Sequence, residues 1–508
     1  MIIDEKATLK HRWGVLEGRK ADLHTRNEKY AKWTLPYIYP REEQKTDELD
    51  TDLDSVGARA VNHLSNKLVE TLFPTFRSFL KLEVSHLALQ ELKEAEVPLD
   101  VLDKALVQGE KNALRALDRM GHRTAATLGA KHLIITGNTL MYYPDSKRAQ
   151  VYGTRDYCVS RDLSGEVLEM ITRDIKAFET FTSDVQAKLK ASGGEIKYED
   201  GTNVTLYTQI KLEDDKFVVT QAADMIDLQI PVNSYAKKDL PWVPLVWNLS
   251  RGDDYGRGLV EDYRGAFNAL DVLSTSLLEG IISAATVKFL VNPASVVDVA
   301  KMNSAPSGSY HVGRDGDIVA VKSDKHLDFQ NVRVVIQDYT GQLSSAFLLN
   351  STRNAERVTA EEIRDDAREL ETSFGGLYSR FTEDWQERVA RLVLSRQDIM
   401  VSDQTIFPVI VTGLDTLSRL GDIDNYRFFV EDLSLIGSLP EYMQAYMKVP
   451  ELMTWVGNNR GVDYTKFLKT NDEVAADQAQ QAEQEQAALD AQTEADVAAG
   501  AGKELVKQ

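Results

Sequence analysis

A single cysteine, Cys158, leaves no partner for an intrachain disulfide. The eight histidines are scattered, with no HExxH and no CxxC pair, so the residues that hold zinc never recur at ligand spacing. No metal site and no cofactor is expected. No apolar run reaches the roughly 18 residues that span a bilayer, and the opening MIIDEKATLKHRWG lacks the apolar core of a secretory signal. The expectation is a protein with no membrane partner that stays where it is made. Basic residues are the scarce charge: 59 Lys and Arg stand against 79 Asp and Glu, a net charge of −20. That balance excludes a tight nucleic-acid binder that neutralises phosphates over a basic face. It permits brief contact, because an acidic wall repels a polyanion over about 8 Å at physiological salt.

Catalytic signatures are equally sparse. The phosphate-cradling GxxxxGK[ST] loop is absent. Gly500-Ala501-Gly502-Lys503 runs into Glu504 and is a chance likeness. Gly256-Arg257-Gly258 begins like a dinucleotide fingerprint, lacks the third glycine, and reads better as a turn before a helix. There is no GxSxG. The acidic pairs Asp253-Asp254 and Asp365-Asp366 read as solvated faces before they read as magnesium ligands. No catalytic residue is assigned, and an enzyme is not expected.

What is present is a large apolar fraction, 43% of 508 residues, enough for several packed units. The first 140 residues read as mainly helical. VGARAVNHLSNKLVETLF places Val61, Leu64, Leu68 and Leu72 on one face and ends at Phe73-Pro74. ALRALDRMGHRTAATLGAKHLIITG reads as one further helix stopping at Gly137. From there to about residue 248 the texture is β, with hairpins expected around DLSGE and EDDK. LVEDYRGAFNALDVLSTSLLEGIISAATVKFLV then reads as a helix of about 30 residues with Leu259, Tyr263, Phe267, Leu270, Leu273, Leu277 and Ile281 on one side. Residues 293–328 are turn-rich, with ASVVDVAKM as a short helix and SGSYHVGRDGDIVAVKS as a strand pair. A returning helix follows from about Gln330 to Leu349. The order is a stalk out, a small module and a stalk back, carrying more apolar surface than one chain covers.

Arg357–Gly376 opens a long helix with a capping box, Thr359 and Glu362, and a staple, Val358 with Ile363. Its stripe runs from Ile363 through Leu370, Phe374, Leu377, Phe381 and Trp385 to Leu392, roughly 40 residues and about 60 Å at helical rise. Gly375 and Gly376 inside it are expected to be a kink or a close backbone approach. Residues 471–508 are rich in Ala, Gln and acids. Thr470 and Glu473 form another capping box, so this end reads as a solvated, frayed helix or a flexible acidic tail. Two basic groupings stand out in so acidic a chain. One is Arg353 and Arg357, with Asn354 between them, in the loop 350–357. The other is Lys322, Lys325, His326 and Arg333, where the small module returns to its stalk. Both read as exposed faces in the absence of a partner.

The blocks VGARAVNHLSNKLVETLFP, TGNTLMYYP, YGRGLVEDYRGAFNALDVL, KFLVNPA and AERVTAEEIRDDARELETSFGGLYSRF follow one another in this order over most of residues 50–400. In them the chain resembles the portal, or head-to-tail connector, proteins of short-tailed bacteriophages of the autographivirus kind. The resemblance implies an α+β, mainly helical portal fold with wing, stem, clip and crown regions. It places most of the wing in residues 1–250, the first stem helix in 251–290, the clip in 291–330 and the second stem helix in 331–349. It further implies a channel loop at 350–358 bearing Arg353, Asn354 and Arg357, a long kinked wing helix at 359–404 and a C-terminal crown region at 405–508. The implied function is a homo-oligomeric ring, usually of twelve copies, at one vertex of the virion capsid, assembled in the host cytoplasm. Double-stranded DNA would pass through it without sequence specificity. The implied partners are the terminase large subunit, a tail adaptor protein, the major capsid and scaffolding proteins, and internal core proteins. Arg314, Lys322, Lys325 and His326 would belong to the clip surface that docks them. The competing reading is an internal capsid or tail adaptor scaffold without DNA passage.

Overall fold

The computed structural model describes residues 8–41, 49, 53–75, 78–85, 88, 99–145, 147–191, 197–228, 233–286, 288–321, 326–349, 360–397, 405–412 and 431. The chain divides into two compact units, Met1–Leu414 and Asp415–Gln508, and every element named below lies in the first. Helices α1 (Leu9–Gly18), α2 (Ala21–Trp33) and α3 (Val56–Leu72) come first. The Thr8 hydroxyl caps α1 by accepting from His11 N at 3.2 Å. In α3 the expected stripe is the buried one, Val61, Leu64, Leu68 and Leu72, none more than 1% exposed. Strand β1 (Leu80–Val84) and helices α4 (Leu99–Arg119) and α5 (His122–Thr136) follow. The single helix expected over this last run is therefore two. Gly121 takes φ +64° between them, the left-handed conformation that terminates a helix. The stop at Gly137 stands, with φ +77°.

Two antiparallel sheets come next. Strands β2 (Asn138–Tyr142), β3 (Gln150–Tyr152) and β10 (Trp242–Val246) form one, in the order β10-β2-β3. The other joins β4 (Tyr157–Arg161), β5 (Val167–Ala177), β6 (Asn203–Glu213), β7 (Lys216–Ala223) and β8 (Ile226–Asp227), with β9 (Asn233–Ala236) also on β7. Helix α6 (Ser183–Ala191) interrupts β5 and β6. Both expected hairpins are present; Asp214 and Asp215, at φ 45° and 68°, make the tight turn between β6 and β7. Leu140, Tyr152, Tyr157, Met170, Ile210 and Trp242 form the core shared by the two sheets. The helical layer is pinned to it by Lys20, fully buried, which donates to Thr154 O at 2.6 Å and Tyr157 O at 3.2 Å. Cys158 lies beside this anchor, and burial pushes its thiol up to about 12, so it stays protonated.

The stalk starts with α7 (Leu259–Asp262) and α8 (Arg264–Ala285), one residue apart rather than continuous. Strand β11 (Lys288–Val291), helix α9 (Val299–Ser304), strand β12 (Ile318–Val321) and helix α10 (His326–Ala346) complete the excursion. The strand pair forms between β11 and β12, Lys288 opposite Val321 and Val291 opposite Ile318. It is not the local pair expected within 307–323; the β-rich KFLV run outcompetes the polar SGSYHVGRD. Helix α11 (Ala360–Phe374) then ends, and α12 (Leu377–Phe381), a π-helical turn (Thr382–Glu387) and α13 (Arg388–Ser395) follow.

The long kinked helix is thus a broken one. Gly375 and Gly376 take φ 59° and 84°, and Gly376 N donates to Glu371 O at 3.3 Å, a left-handed helix stop. The Glu371 carboxylate reaches across the corner to Ser379 N at 3.0 Å and Ser379 Oγ at 2.8 Å. Among the described residues a Cβ on Gly375 would meet nothing within 4 Å, and one on Gly376 only the Glu371 carboxylate at 3.9 Å. Strand β13 (Ile406–Ile410) pairs with β1, so the start of the presumed crown region belongs to the first unit.

One crossing locks these parts. Asn138, fully buried, donates from Nδ2 to Gly256 O at 2.8 Å and accepts from Gly256 N at 2.7 Å. Trp247 N donates to Gly137 O at 2.8 Å. A Cβ on Gly137 would collide with Arg257 and lie 2.5 Å from Gly258 N, and one on Gly258 would lie 2.7 Å from Ile134 O. Gly137→Ala should therefore cost about 2–3 kcal/mol, from left-handed strain and overpacking together. Gly14→Ala, in helix α1 with open space around it, should stabilise by roughly 0.5–1 kcal/mol. Urea unfolding of both variants checks this, and equal effects would contradict it. The buried histidines set an acid limit. Burial holds His122 at about 3 and His132 at about 4, against 6.5. Between these values the unfolded chain binds protons that the folded one does not. Stability is full above about pH 6.5 and falls as pH drops toward 4, by up to about 1.4 kcal/mol per unit per histidine. Unfolding midpoints at pH 7, 6 and 5 should decline steadily, and the decline should shrink in a His122→Phe, His132→Leu variant.

Candidate assembly surface

The stalk is rooted by aromatic packing. Phe267 of α8 stacks on Trp33 at 6.1 Å and 11°, and meets Phe347, just past α10, edge-on at 5.9 Å. Phe267, Leu270, Leu343 and Phe347 are buried together here. Gly57 admits this packing, since a Cβ there would strike the Trp33 carbonyl oxygen and crowd the Phe267 ring. Helix α2 is bolted along α7 and α8 by polar contacts. Trp33 Nε1 donates to Asp271 Oδ2 at 3.3 Å, Lys29 Nζ to Asn268 Oδ1 at 3.2 Å, and Arg26 Nη1 to Glu261 Oε1 at 3.0 Å. Farther out, Gly280 faces the Phe329 ring and lets α8 and α10 approach.

Beyond the root the helices cover only one face of each other. On α8, Val272, Leu278, Ile281 and Ile282 are exposed, from 41% at Ile281 to 57% at Ile282. On α10, Val334 and Val335 are exposed, and on the β11–β12 strand pair so are Phe289, Leu290 and Val319. The module at the tip adds Val296, Val299, Met302, Tyr310 and Val312. So many exposed apolar side chains on one excursion of the chain suit an interaction surface. Covering eight such side chains would bring on the order of 10 kcal/mol before association costs.

The residues singled out from sequence fare unevenly. Arg314 is exposed in a turn whose backbone is fixed by Asp317: Arg314 N donates to Asp317 Oδ2 at 2.7 Å, and Asp317 N to Arg314 O at 3.1 Å. His326 opens α10, but its side chain lies outside the described residues, as do Lys322 and Lys325. Arg353, Asn354 and Arg357 also lie outside them. Gly375 and Gly376 form the helix corner already given. The acidic pairs have structural work: Asp254 Oδ1 accepts from Arg161 N at 2.7 Å, and Asp366 Oδ1 pairs with Lys67 at 3.1 Å. No group of potential metal ligands exists among the described residues. Sequence reasoning anticipated the apolar surplus of the stalk and missed the apolar module at its tip. The signal was the unbroken FLV of β11 together with Tyr310 and Val312 in a run otherwise read as polar.

Known proteins show what the chain is similar to. A family profile described as "Bacteriophage head to tail connecting protein" matches residues 6–468, so the likeness runs well beyond residue 400. The portal protein of Enterobacteria phage SP6 is 31% identical over 481 residues, 94% of this chain and 93% of that protein. The portal protein of Escherichia phage T7 is 28% identical over 484 residues, covering 92% and 89%. That of Pseudomonas phage phiKMV is 29% identical over 488 residues, covering 92% and 94%. A chain from the virion of a native gene transfer agent particle superposes with a TM-score of 0.36 at 10% identity, over 76% of this chain and 87% of that one.

The exposed stalk residues generate a direct expectation. The wild-type protein should sediment as species several times its 56.9 kDa subunit. A Leu278→Ser, Ile282→Ser variant should need at least ten-fold higher concentration to associate, with the melting temperature of the dilute subunit unchanged within a few degrees. Identical sedimentation of the two proteins would show that this face is not the one that associates.

Proposed function

The chain belongs to the family of bacteriophage head to tail connecting proteins, and from that membership and its uncovered stalk we propose that it works as a structural portal. It acts as a ring at one capsid vertex through which viral DNA is packaged and ejected. It is not an enzyme. The single observation that carries the ring is the apolar stalk surface that the chain leaves in solvent. The two exposed flanks differ in extent, Val272, Leu278, Ile281 and Ile282 on α8 against Val334 and Val335 on α10. Unlike flanks suit a head-to-tail contact repeated around a closed ring better than a two-fold dimer. The scaffold reading without DNA passage is not favoured, since the relatives are portal proteins.

Within this reading residues 1–250 supply most of the wing, α8 and α10 the stem, and 291–330 the clip. The clip would meet the packaging terminase first and the tail adaptor afterwards. A small exposed module held at the end of two packed helices suits successive partners at one place. Loop 350–358 would face the channel. There Arg353 and Arg357 would be the cations that touch passing phosphates, loosely, since no aromatic residue in 350–357 stacks on bases. Twelve copies is the value that the resemblance implies.

Two substitutions test the division of labour. Arg314→Glu with Lys322→Glu should impair terminase docking and leave assembly intact; loss of assembly would make these residues structural. Arg353→Ala with Arg357→Ala should leave assembly and docking normal but reduce the fraction of particles holding full-length genomes by two-fold or more. Particles of the second variant that retain genomes as well as wild type would remove the DNA-gripping role.

A further inference from the structure

A cleft of about 610 Å³ lies away from the stalk, between the β4–β5 hairpin, β10 and the π-helical turn. Its floor is apolar, with Met170, Phe217 and Val246, and its wall carries Arg161, Arg380 and Arg388. Two of these guanidinium groups are held by neutral carbonyls. Arg161 donates from Nη1 to Gly165 O at 2.8 Å and from Nε to Asp254 O at 3.2 Å. Arg380 donates from Nη2 to Val246 O at 3.0 Å and to the Trp247 carbonyl, and its buried Nε has no hydrogen-bond partner among the described residues. Carbonyls fix a guanidinium in place without cancelling its charge.

Acids offset part of this charge. Asp384 stands 4.0 Å from Arg388 and also acts on Arg161 and Arg380, and Asp254 acts on Arg161. Glu166 is taken by Lys237 at 2.7 Å, which also pairs with Asp215 at 2.9 Å. Burial lowers the pKa of both Arg161 and Arg380, and Arg388 adds like-charge repulsion on Arg161. In a chain of net charge −20, the lining of this cleft carries Arg161, Lys237, Arg380 and Arg388 against Glu166 and Asp384.

We propose that this cleft receives a carboxylate-bearing segment from a second copy of the chain. The inference rests on the ring reading above and adds a contact in the wing to the one along the stem. Copies this acidic repel one another, so an interface between them needs sites of local opposite sign. An arginine wall beside an apolar floor fits an acidic peptide segment, which covers both, whereas a lone phosphate would leave the floor wet. Arginine also offers the planar fork that matches a carboxylate.

Arg388 is the arginine to change, because its side chain is 42% exposed and its ion pair is long. Mass photometry of the full-length protein across nanomolar to micromolar concentration should show the assembly midpoint of Arg388→Glu raised at least ten-fold. Arg388→Lys should stay within about three-fold of wild type, and the melting temperature of the dilute subunit should be unchanged in both. Added salt should weaken wild-type assembly more than that of Arg388→Glu. The proposal is overturned if Arg388→Glu assembles at wild-type concentrations, or if its assembly falls only together with subunit stability. It is also overturned if inorganic phosphate stabilises the dilute wild type, but not Arg388→Glu, while assembly ignores the substitution; the cleft would then be a small-anion site. A wild type that never exceeds one subunit mass would instead sink the ring reading itself.

Discussion

The stalk leaves the body of the protein where two backbone segments meet across glycines. Gly137 and Asn138 on one side and Gly256 and Gly258 on the other are packed so closely that a single Cβ would part them. The Asn138 amide closes the contact by pairing with both polar groups of the Gly256 peptide. This junction ties together the end of α5, the start of β2, the end of β10 and the entry to α7. The direction in which the stalk departs is therefore set by backbone contact, which tolerates little adjustment.

From that fixed point the aromatic root carries the constraint outward. Phe267 and Phe347 bring the two long helices down onto Trp33, and the hydrogen bonds of α2 hold α7 and α8 against the helical layer. Above the root no further layer exists within the described part of the subunit, so Leu278, Ile281, Ile282 and Val334 stay in water. A rigid stalk with an apolar exterior is unfavourable alone and favourable in company. Rigid presentation also lowers the ordering cost that association must meet.

Much of this was legible in the residues. The buried stripe of α3, the hairpin turn at Asp214-Asp215, the helix stop at Gly137 and the stalk-module-stalk order all follow from local periodicity and turn chemistry. What was not legible is what periodicity conceals. The apolar positions Leu377, Phe381, Trp385, Val389 and Leu392 continue the stripe of α11, so the left-handed corner at Gly375-Gly376 looked like a bend within one helix. Gly121 divides α4 from α5 in the same way. Pairings distant in sequence, β1 with β13 and β11 with β12, leave no local mark. For the candidate surface, the apolar excess of the stalk was visible, while the apolar tip was hidden among polar neighbours. The arginine cleft draws Arg161, Arg380 and Arg388 from separate segments and could be seen only once the chain was folded.

Acidity and association pull in opposite directions in this molecule. A net charge of −20 per subunit disfavours crowding copies together, yet in the proposed portal it would keep the channel from adhering to a polyanion sliding through. In the proposed ring the apolar flanks of the stalk would resolve the conflict by supplying attraction that does not depend on charge. Electron cryo-microscopy of the purified full-length protein tests this most directly. The account expects a closed ring around a hole wide enough for duplex DNA, with Leu278, Ile281 and Ile282 of one subunit buried against the α10 flank of the next. A ring that leaves those side chains in solvent, or an assembly that does not close around a hole, would contradict it.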